Sequence, residues 1–182
     1  MTQEEKIAIA ETVRHRDRFG PVSQEELAAL SGKETELWIQ TKNGYCVHVF
    51  EERPEALPDR APILLNFHGG GFLKGRTDRE RRYCCAVMEA TNALVWDVDY
   101  SLAPEKPFPY AAEESYGIIQ YVFEHAEELC IDPEKIMLAG HSAGGNLVAS
   151  ALVKNAETKA FHPCCALMEY FPTDNTANPV ER

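Results

Sequence analysis

The most informative stretch of the sequence is Gly140-His141-Ser142-Ala143-Gly144, a G-x-S-x-G pattern. It follows the apolar run 136–139 and opens a segment rich in Leu and Ala over 142–155, so we predict a strand, a sharp turn and a helix. A turn this tight strains the backbone at Ser142, and the flanking glycines remove Cβ atoms that would clash. In that context the pattern indicates a nucleophile elbow. The alternative is a turn of small residues in which Ser142 only caps the helix.

A run of glycines, His68-Gly69-Gly70-Gly71, directly follows the apolar residues 63–67. Consecutive glycines carry a high cost in chain entropy, so some feature must require backbone without side chains. The backbone amides of Gly70 and Gly71, with that of Ala143, would hydrogen-bond the oxyanion of an acyl-transfer intermediate. A phosphate-binding P-loop is excluded because no Lys-Ser or Lys-Thr pair follows the glycines. A flexible turn at a strand end is the alternative.

The remaining segments alternate between strand and helix patterns. Helices are predicted over 2–19, after the capping pair Ser23 and Glu26, and over 78–91, 110–129 and 142–155. Strands are predicted over 36–41 and 45–51, joined by an Asn43-Gly44 turn, and over 63–67, 93–98, 135–139 and 164–171. This alternation indicates an α/β fold with a mostly parallel sheet flanked by helices. We divide the chain into an N-terminal helical segment, residues 1–35, and a main domain, residues 36–182.

The charge balance restricts the classes of partner. The 182 residues include 18 Lys and Arg against 29 Asp and Glu, a net charge of −11. This charge argues against binding nucleic acid or an anionic membrane surface, since both need a basic face. No apolar run approaches the ~20 residues of a membrane span, and the first residues lack the apolar region of a signal peptide. We therefore expect a cytoplasmic protein that acts on a small molecule.

The six cysteines do not form a metal-binding pattern. They are Cys46, Cys84, Cys85, Cys130, Cys164 and Cys165, and none of them makes a Cys-x-x-Cys pair. The two adjacent pairs lie in apolar stretches, where cysteine behaves as a small hydrophobic residue. We expect reduced structural thiols, and neither a metal ion nor an organic cofactor.

Three motifs together resemble a known family. They are His68-Gly69-Gly70-Gly71, then Asp99-Tyr100-Ser101-Leu102-Ala103-Pro104-Glu105, then Gly140-His141-Ser142-Ala143-Gly144-Gly145-Asn146. In this order, each at the end of a predicted strand, they resemble the hormone-sensitive-lipase branch of the α/β-hydrolases. The resemblance extends from about Leu37 to the C-terminus, and the N-terminal helices resemble the start of that family's cap.

The resemblance implies a carboxylesterase or lipase-like enzyme for esters of short or medium acyl length. It implies Ser142 as the nucleophile and Gly70, Gly71 and Ala143 as the oxyanion hole. His68, Gly69, Gly140 and Gly144 would support the shape of the site, with His68 shaping the loop and not transferring protons. The segment 99–105 would be a structural turn near the site. One departure is His141, which replaces the acidic residue common before the serine.

The acid and the general-base histidine of the family follow later strands, in the order Ser, Asp or Glu, His. We therefore expect this chain to be the N-terminal portion of such an enzyme, with both partners encoded beyond Arg182. Asp174, which follows the last predicted strand, is a weaker candidate for the acid. The other histidines, His15, His48, His125, His141 and His162, are expected to be solvated or packed. Without a base the serine is a poor nucleophile.

Two further hypotheses stay open. One is a non-catalytic ligand-binding relative, or a degenerate and inactive hydrolase, that keeps the pocket. The other is a homo-oligomer in which a partner chain or swapped dimer completes the sheet through its exposed edge.

Overall fold

The fold is built on one mixed β-sheet. The computed structural model describes residues 1–16 and 20–173. The strands are β1 (Lys33–Gln40), β2 (Cys46–Arg53), β3 (Ala61–Phe67), β4 (Leu94–Asp99), β5 (Ile131–His141) and β6 (Cys165–Glu169). Their order across the sheet is β1-β2-β4-β3-β5-β6. Strands β4, β3, β5 and β6 run parallel to one another, whereas β2 pairs antiparallel with both β1 and β4. The prediction of a mostly parallel α/β sheet is confirmed.

Five helices accompany these strands in the described part of the chain. They are α1 (Gln3–Arg14), α2 (Gln24–Ala28), α3 (Asp78–Thr91), α4 (Tyr110–Glu124) and α5 (Ala143–Thr158). Capping residues define several of their ends: the Ser23 hydroxyl accepts from the Glu26 amide at α2, as the sequence predicts. Helix α3 has the predicted bounds because Thr77 caps its start and Asn92, in the left-handed conformation, ends it.

The helices cover both faces of the sheet, because alternate strand residues point to opposite sides. On one face, Ile63 and Leu65 of β3 pack in the core that includes side chains of α4 and α5. On the other face, Leu64 packs with Cys84 and Met88 of α3. Central strands with two covered faces are largely apolar, which explains the nearly continuous apolar runs in the sequence. The carboxyl ends of the parallel strands lie at the same edge of the sheet.

Several predicted element ends are wrong. Helix α1 ends at Arg14 and not at residue 19, since the polar residues after Val13 offer no apolar face; residues 17–19 lie outside the described residues. Helix α4 ends at Glu124 and not at residue 129. The Ile131 amide donates a hydrogen bond to the Ala126 carbonyl, and the chain turns there into β5. Strand β5 starts at Ile131, before the predicted 135, through a register shift opposite β3.

The cysteine prediction is correct for one adjacent pair only. Cys84 and Cys85 are buried residues of α3, but Cys164 and Cys165 are exposed, because β6 is the outermost strand among the described residues. All six thiols are free in the structure. Burial raises the pKa of Cys85 to about 12, so this thiol stays protonated and unreactive.

Strand β1 begins at Lys33, inside the segment that we assigned to residues 1–35, and the division of the chain there stays a prediction. In the described ranges, no helix is long and apolar enough to cross a membrane.

Candidate active site

Ser142 lies at the sharp turn between β5 and α5. Its backbone has φ 51° and ψ −112°, a conformation that is strained for any residue with a side chain. The Ser142 amide donates to the Glu169 carbonyl of β6 at 2.9 Å, and the Ser142 carbonyl accepts from the Asn146 amide at 3.1 Å. The neighbouring strand and the following helix therefore hold both sides of the strained residue, as a strand–turn–helix elbow requires.

Close backbone contacts explain the two glycines of the pattern. A Cβ on Gly140 would lie 2.5 Å from the carbonyl carbon of Gly144, and a Cβ on Gly144 would overlap the carbonyl of Phe67 in β3. No larger residue fits at either position without moving backbone. The glycines thus let α5 start directly against the ends of β5 and β3.

The glycine loop after β3 lies beside the serine. A Cβ on Gly69 would be 3.6 Å from the Ser142 Cβ. Gly70 and Gly71 have φ +126° and +63°, and a Cβ on Gly70 would be 2.5 Å from the Lys74 carbonyl oxygen. The Gly70 carbonyl accepts from the amides of Leu73 and Lys74, at 3.2 and 3.0 Å, so the loop folds back on itself.

The backbone amides predicted to bind an oxyanion are those of Gly70, Gly71 and Ala143. Among the described residues, no hydrogen bond engages the amides of Gly70 and Gly71. Ala143 is the first residue of α5, and first-turn amides of a helix have no acceptor within the helix. The Ala143 amide lies at the positive end of this helix, which favours a developing negative charge.

The buried His68 side chain contacts the start of the glycine loop. Its side chain is fully buried, its ring stacks on Tyr100 with centroids 4.2 Å apart, and its Nδ1 is 2.7 Å from the Gly69 carbonyl oxygen. Its Nε2 is 3.7 Å from Asp99 Oδ1. Burial acts to lower the pKa of His68, but the Asp99 carboxylate and the Gly69 carbonyl outweigh it and the pKa is raised. This buried histidine faces Asp99 and Tyr100 and not the cleft.

The segment 99–105 lies at the same edge of the sheet. The Ser101 amide donates to Glu114 at 2.7 Å, and Glu105 pairs with Arg14 of α1 at 2.6 Å. The Tyr100 hydroxyl donates to the His68 carbonyl at 2.7 Å. The segment thus connects the glycine loop, α4 and the N-terminal helix.

A cleft of about 850 Å³ opens above the serine. Ser142, Gly69, Gly70 and His141 line it, together with Arg76 and Tyr83, which the sequence did not identify. Gly71 and Ala143 are not among its lining residues, although each adjoins one that is.

His141 is held on the cleft wall by two neighbours. Its Nδ1 lies 3.0 Å from Glu169 Oε2, and Tyr83 packs edge-on against its ring at 4.7 Å. Glu169 is the partner of His141 in the β5–β6 ladder. Glu169 was not predicted as a site residue, although its place at the end of the strand after the elbow was a usable signal.

The remaining candidates lie elsewhere. His125 Nδ1 is 2.9 Å from the Tyr121 carbonyl oxygen, His48 contacts Asp99, and His15 and His162 are exposed. Among the described residues, no histidine hydrogen-bonds the Ser142 hydroxyl. Asp174, the weaker candidate acid, lies outside the described residues.

Comparison with known proteins places the chain in a family. A family profile described as alpha/beta hydrolase fold matches residues 64–181, and the chain belongs to this family. It is 34% identical over 160 residues to an AB hydrolase superfamily protein of Schizosaccharomyces pombe, covering 87% of this chain and 46% of the relative. It is also 36% identical over 104 residues to human hormone-sensitive lipase, covering 57% of this chain and 10% of the lipase. The resemblance read from the three motifs is confirmed.

Two esterases are among the solved structures that resemble this chain. A bacterial heroin esterase superposes with a TM-score of 0.78 at 28% identity, covering 98% of this chain and 55% of the esterase. An esterase of Pyrobaculum calidifontis superposes with a TM-score of 0.76 at 26% identity, covering 97% and 54%. The chain thus spans about half the length of these structures and less than half of the curated relatives above.

Proposed function

We propose that this chain carries the nucleophile and the oxyanion-binding loop of a serine carboxylic ester hydrolase. The observation that carries the proposal is the meeting of the strained Ser142 with the glycine loop, where a Gly69 Cβ would be 3.6 Å from the Ser142 Cβ. A merely structural turn does not require three glycines beside a strained serine. The names of several relatives, an esterase and a carboxylesterase of Mycobacterium tuberculosis among them, support the same chemistry.

The reaction follows from these groups. The Ser142 Oγ attacks the ester carbonyl carbon while a general base takes its proton. The amides of Gly70, Gly71 and Ala143 stabilise the tetrahedral oxyanion, and each such donor contributes typically about 3–4 kcal/mol. The intermediate collapses to acyl-Ser142 as the alcohol leaves with the proton, and water then releases the acid. The family resemblance implies a histidine for the base.

The substrate we propose is a small neutral ester of short or medium acyl length. The chain has a net charge of −11, which disfavours an anionic substrate at long range. Arg76, which lines the cleft, is paired with Asp97 and Glu34, so its charge is already compensated. The names of relatives include an acetyl esterase of Salmonella, which agrees with a short acyl group.

The test uses the protein at the full length that its gene encodes. Hydrolysis of p-nitrophenyl acetate and butyrate is measured for wild type, Ser142→Ala and Ser150→Ala, an exposed serine on the same helix. Loss of turnover in Ser142→Ala alone supports the proposal. Equal rates in wild type and Ser142→Ala, at the level of water, would refute it. Saturable binding of these esters without turnover would favour the non-catalytic ligand-binding relative.

A cytoplasmic location and a homo-oligomer formed through the β6 edge stay predictions. The exposed side chains of Leu167 and Tyr170 at that edge are compatible with a further strand or chain packing there.

A further inference from the structure

The loop that carries the glycines is fastened at both ends to β4. At its start, the Tyr100 hydroxyl binds the His68 carbonyl at 2.7 Å. At its end, Arg76 Nε donates to Asp97 Oδ2 at 2.6 Å. Tyr100 directly follows β4 and Asp97 lies within it, so one strand determines where both ends of the loop stand.

Arg76 is held more firmly than its position in a loop suggests. Its Nη2 donates to Glu34 Oε2 at 2.6 Å, and its guanidinium lies 3.9 Å from the centre of the Phe50 ring. Only 11% of its side chain is exposed, and Asp97 is fully buried. Charge-assisted hydrogen bonds from two nitrogens of one planar group fix both its position and its orientation.

Asp97 has no other cationic partner at this distance in the described chain. Its second oxygen accepts from Asn66 Nδ2 at 2.7 Å. Burial raises the pKa of Asp97, and the Arg76 guanidinium opposes this effect. Because an unpaired buried charge is strongly unfavourable, Asp97 holds Arg76 in place.

Arg76 is connected to Gly70 through Lys74. Lys74 is two residues before Arg76, and its amide donates to the Gly70 carbonyl at 3.0 Å. The same Lys74 carbonyl fills the space where a Gly70 side chain would stand. A shift of Arg76 therefore moves the peptide units of Gly70 and Gly71, whose amides are the oxyanion donors of the proposed function.

We propose that Arg76, held by Asp97 and Glu34, is the positioning residue for the oxyanion-binding amides. The proposal rests on the proposed ester hydrolase function. Arg76 belongs to this loop, and its guanidinium is engaged by Asp97, Glu34 and the Phe50 ring and not by the reacting atoms. Its loss therefore weakens the stabilisation of the transition state more than it weakens substrate binding in the ground state. Misplacing such donors by a fraction of an ångström to 1 Å lowers the rate by about 10- to 100-fold.

The test is steady-state kinetics on the full-length protein with Arg76→Lys, Asp97→Asn and the double variant. The matched control is Arg82→Lys, since Arg82 lies on α3 and pairs with Glu26 at 3.4 Å in an exposed ion pair. We expect each single variant to lower kcat about 10- to 100-fold with KM changed less than twofold. The double variant should be no worse than either single one, because both disrupt the same contact.

A second readout separates positioning from general stability. A trifluoromethyl ketone, whose serine adduct carries an oxyanion, should lose affinity for Arg76→Lys by the same factor as kcat, and Arg82→Lys should lose none. If Arg76→Lys fails to fold, Glu34→Gln replaces it, with an expected fall in kcat of about threefold or more. A folded variant with wild-type kcat and inhibitor affinity would overturn the inference. Failure of the proposed function itself is distinct, because Ser142→Ala would then keep wild-type turnover.

Discussion

Gly144 packs directly against the carbonyl group of Phe67, so the first turn of α5 rests on the end of β3 with no space for a side chain between them. This contact brings together the strand that leads into the glycine loop and the helix that follows Ser142. The relative position of the nucleophile and the oxyanion donors therefore depends on the absence of a side chain at Gly144.

Gly144→Ala should disrupt both stability and activity. The added methyl group must displace backbone and not a flexible side chain, which we expect to lower the free energy of unfolding by about 3 kcal/mol. Because the displacement occurs between Ser142 and the loop, esterase turnover should fall at least about 100-fold. Chemical denaturation and p-nitrophenyl ester kinetics measure the two effects.

The control is Gly44→Ala in the β1–β2 turn, where φ is +92° and nothing lies within 4 Å of the added Cβ. It should cost about 1–2 kcal/mol from backbone strain and leave turnover unchanged. Wild-type turnover in Gly144→Ala would contradict the close contact.

Glu52 should make stability depend on pH near neutrality. Burial, together with the adjacent Glu34 carboxylate, raises the pKa of Glu52 from 4.5 to about 7. Between these two values the folded protein keeps a proton that the unfolded chain has released. The free energy of unfolding should therefore fall as the pH rises from about 4.5 to 7, by up to about 3 kcal/mol.

Glu52→Gln should remove this fall, because the amide is neutral at every pH. The exposed Glu157→Gln is the control and should retain the wild-type slope. Burial acts to raise the pKa of Glu34, but its contacts with Glu52 and Arg76 outweigh it, so its pKa is lowered and its effect lies below pH 4.5. Urea denaturation at several pH values measures the slopes, and parallel curves for wild type and Glu52→Gln would contradict the prediction.

Arg14 should control how firmly the N-terminal helix is attached. Its Nε donates to the Leu73 carbonyl at 2.8 Å, its Nη2 to the Ala103 carbonyl at 3.0 Å, and it pairs with Glu105. In Arg14→Met these contacts are lost, and half-exposed ion pairs of this kind contribute about 1 kcal/mol. Amide exchange in α1 should become about fivefold faster, with no change in the sheet.

Lys6→Met, an exposed change on the same helix, should leave the exchange of α1 unchanged. Equal exchange in Arg14→Met and wild type would show that other contacts attach the helix. The measurement also tests whether residues 1–35 behave as a separate cap segment.

Local sequence signals predicted the elements around the site well. The bounds of α3 follow from Thr77 and Asn92, which act within a few residues along the chain. The glycine run and the elbow were likewise readable, because steric and conformational demands on glycine are local. The end of α1 was missed, since nothing in the residues after Val13 forms a strong stop signal.

Contacts between distant segments could not be predicted in this way. The antiparallel pairing of β2 with β4 joins residues about 50 positions apart, and no pattern within either strand specifies its neighbour. The ion pair of Arg76 with Asp97 is of the same kind: each residue alone reads as a surface charge. The two residues come into contact only because the loop packs against β4.

The most direct test of Ser142 as the nucleophile is covalent labelling of the full-length protein with a fluorophosphonate, followed by peptide mass spectrometry. The phosphorus forms a bond with the activated serine oxygen and fluoride leaves. We expect one labelled peptide, with the adduct on Ser142, present in Ser150→Ala and absent in Ser142→Ala. Labelling at another residue, or no labelling of a protein that hydrolyses esters, would contradict the assignment of Ser142 as the nucleophile.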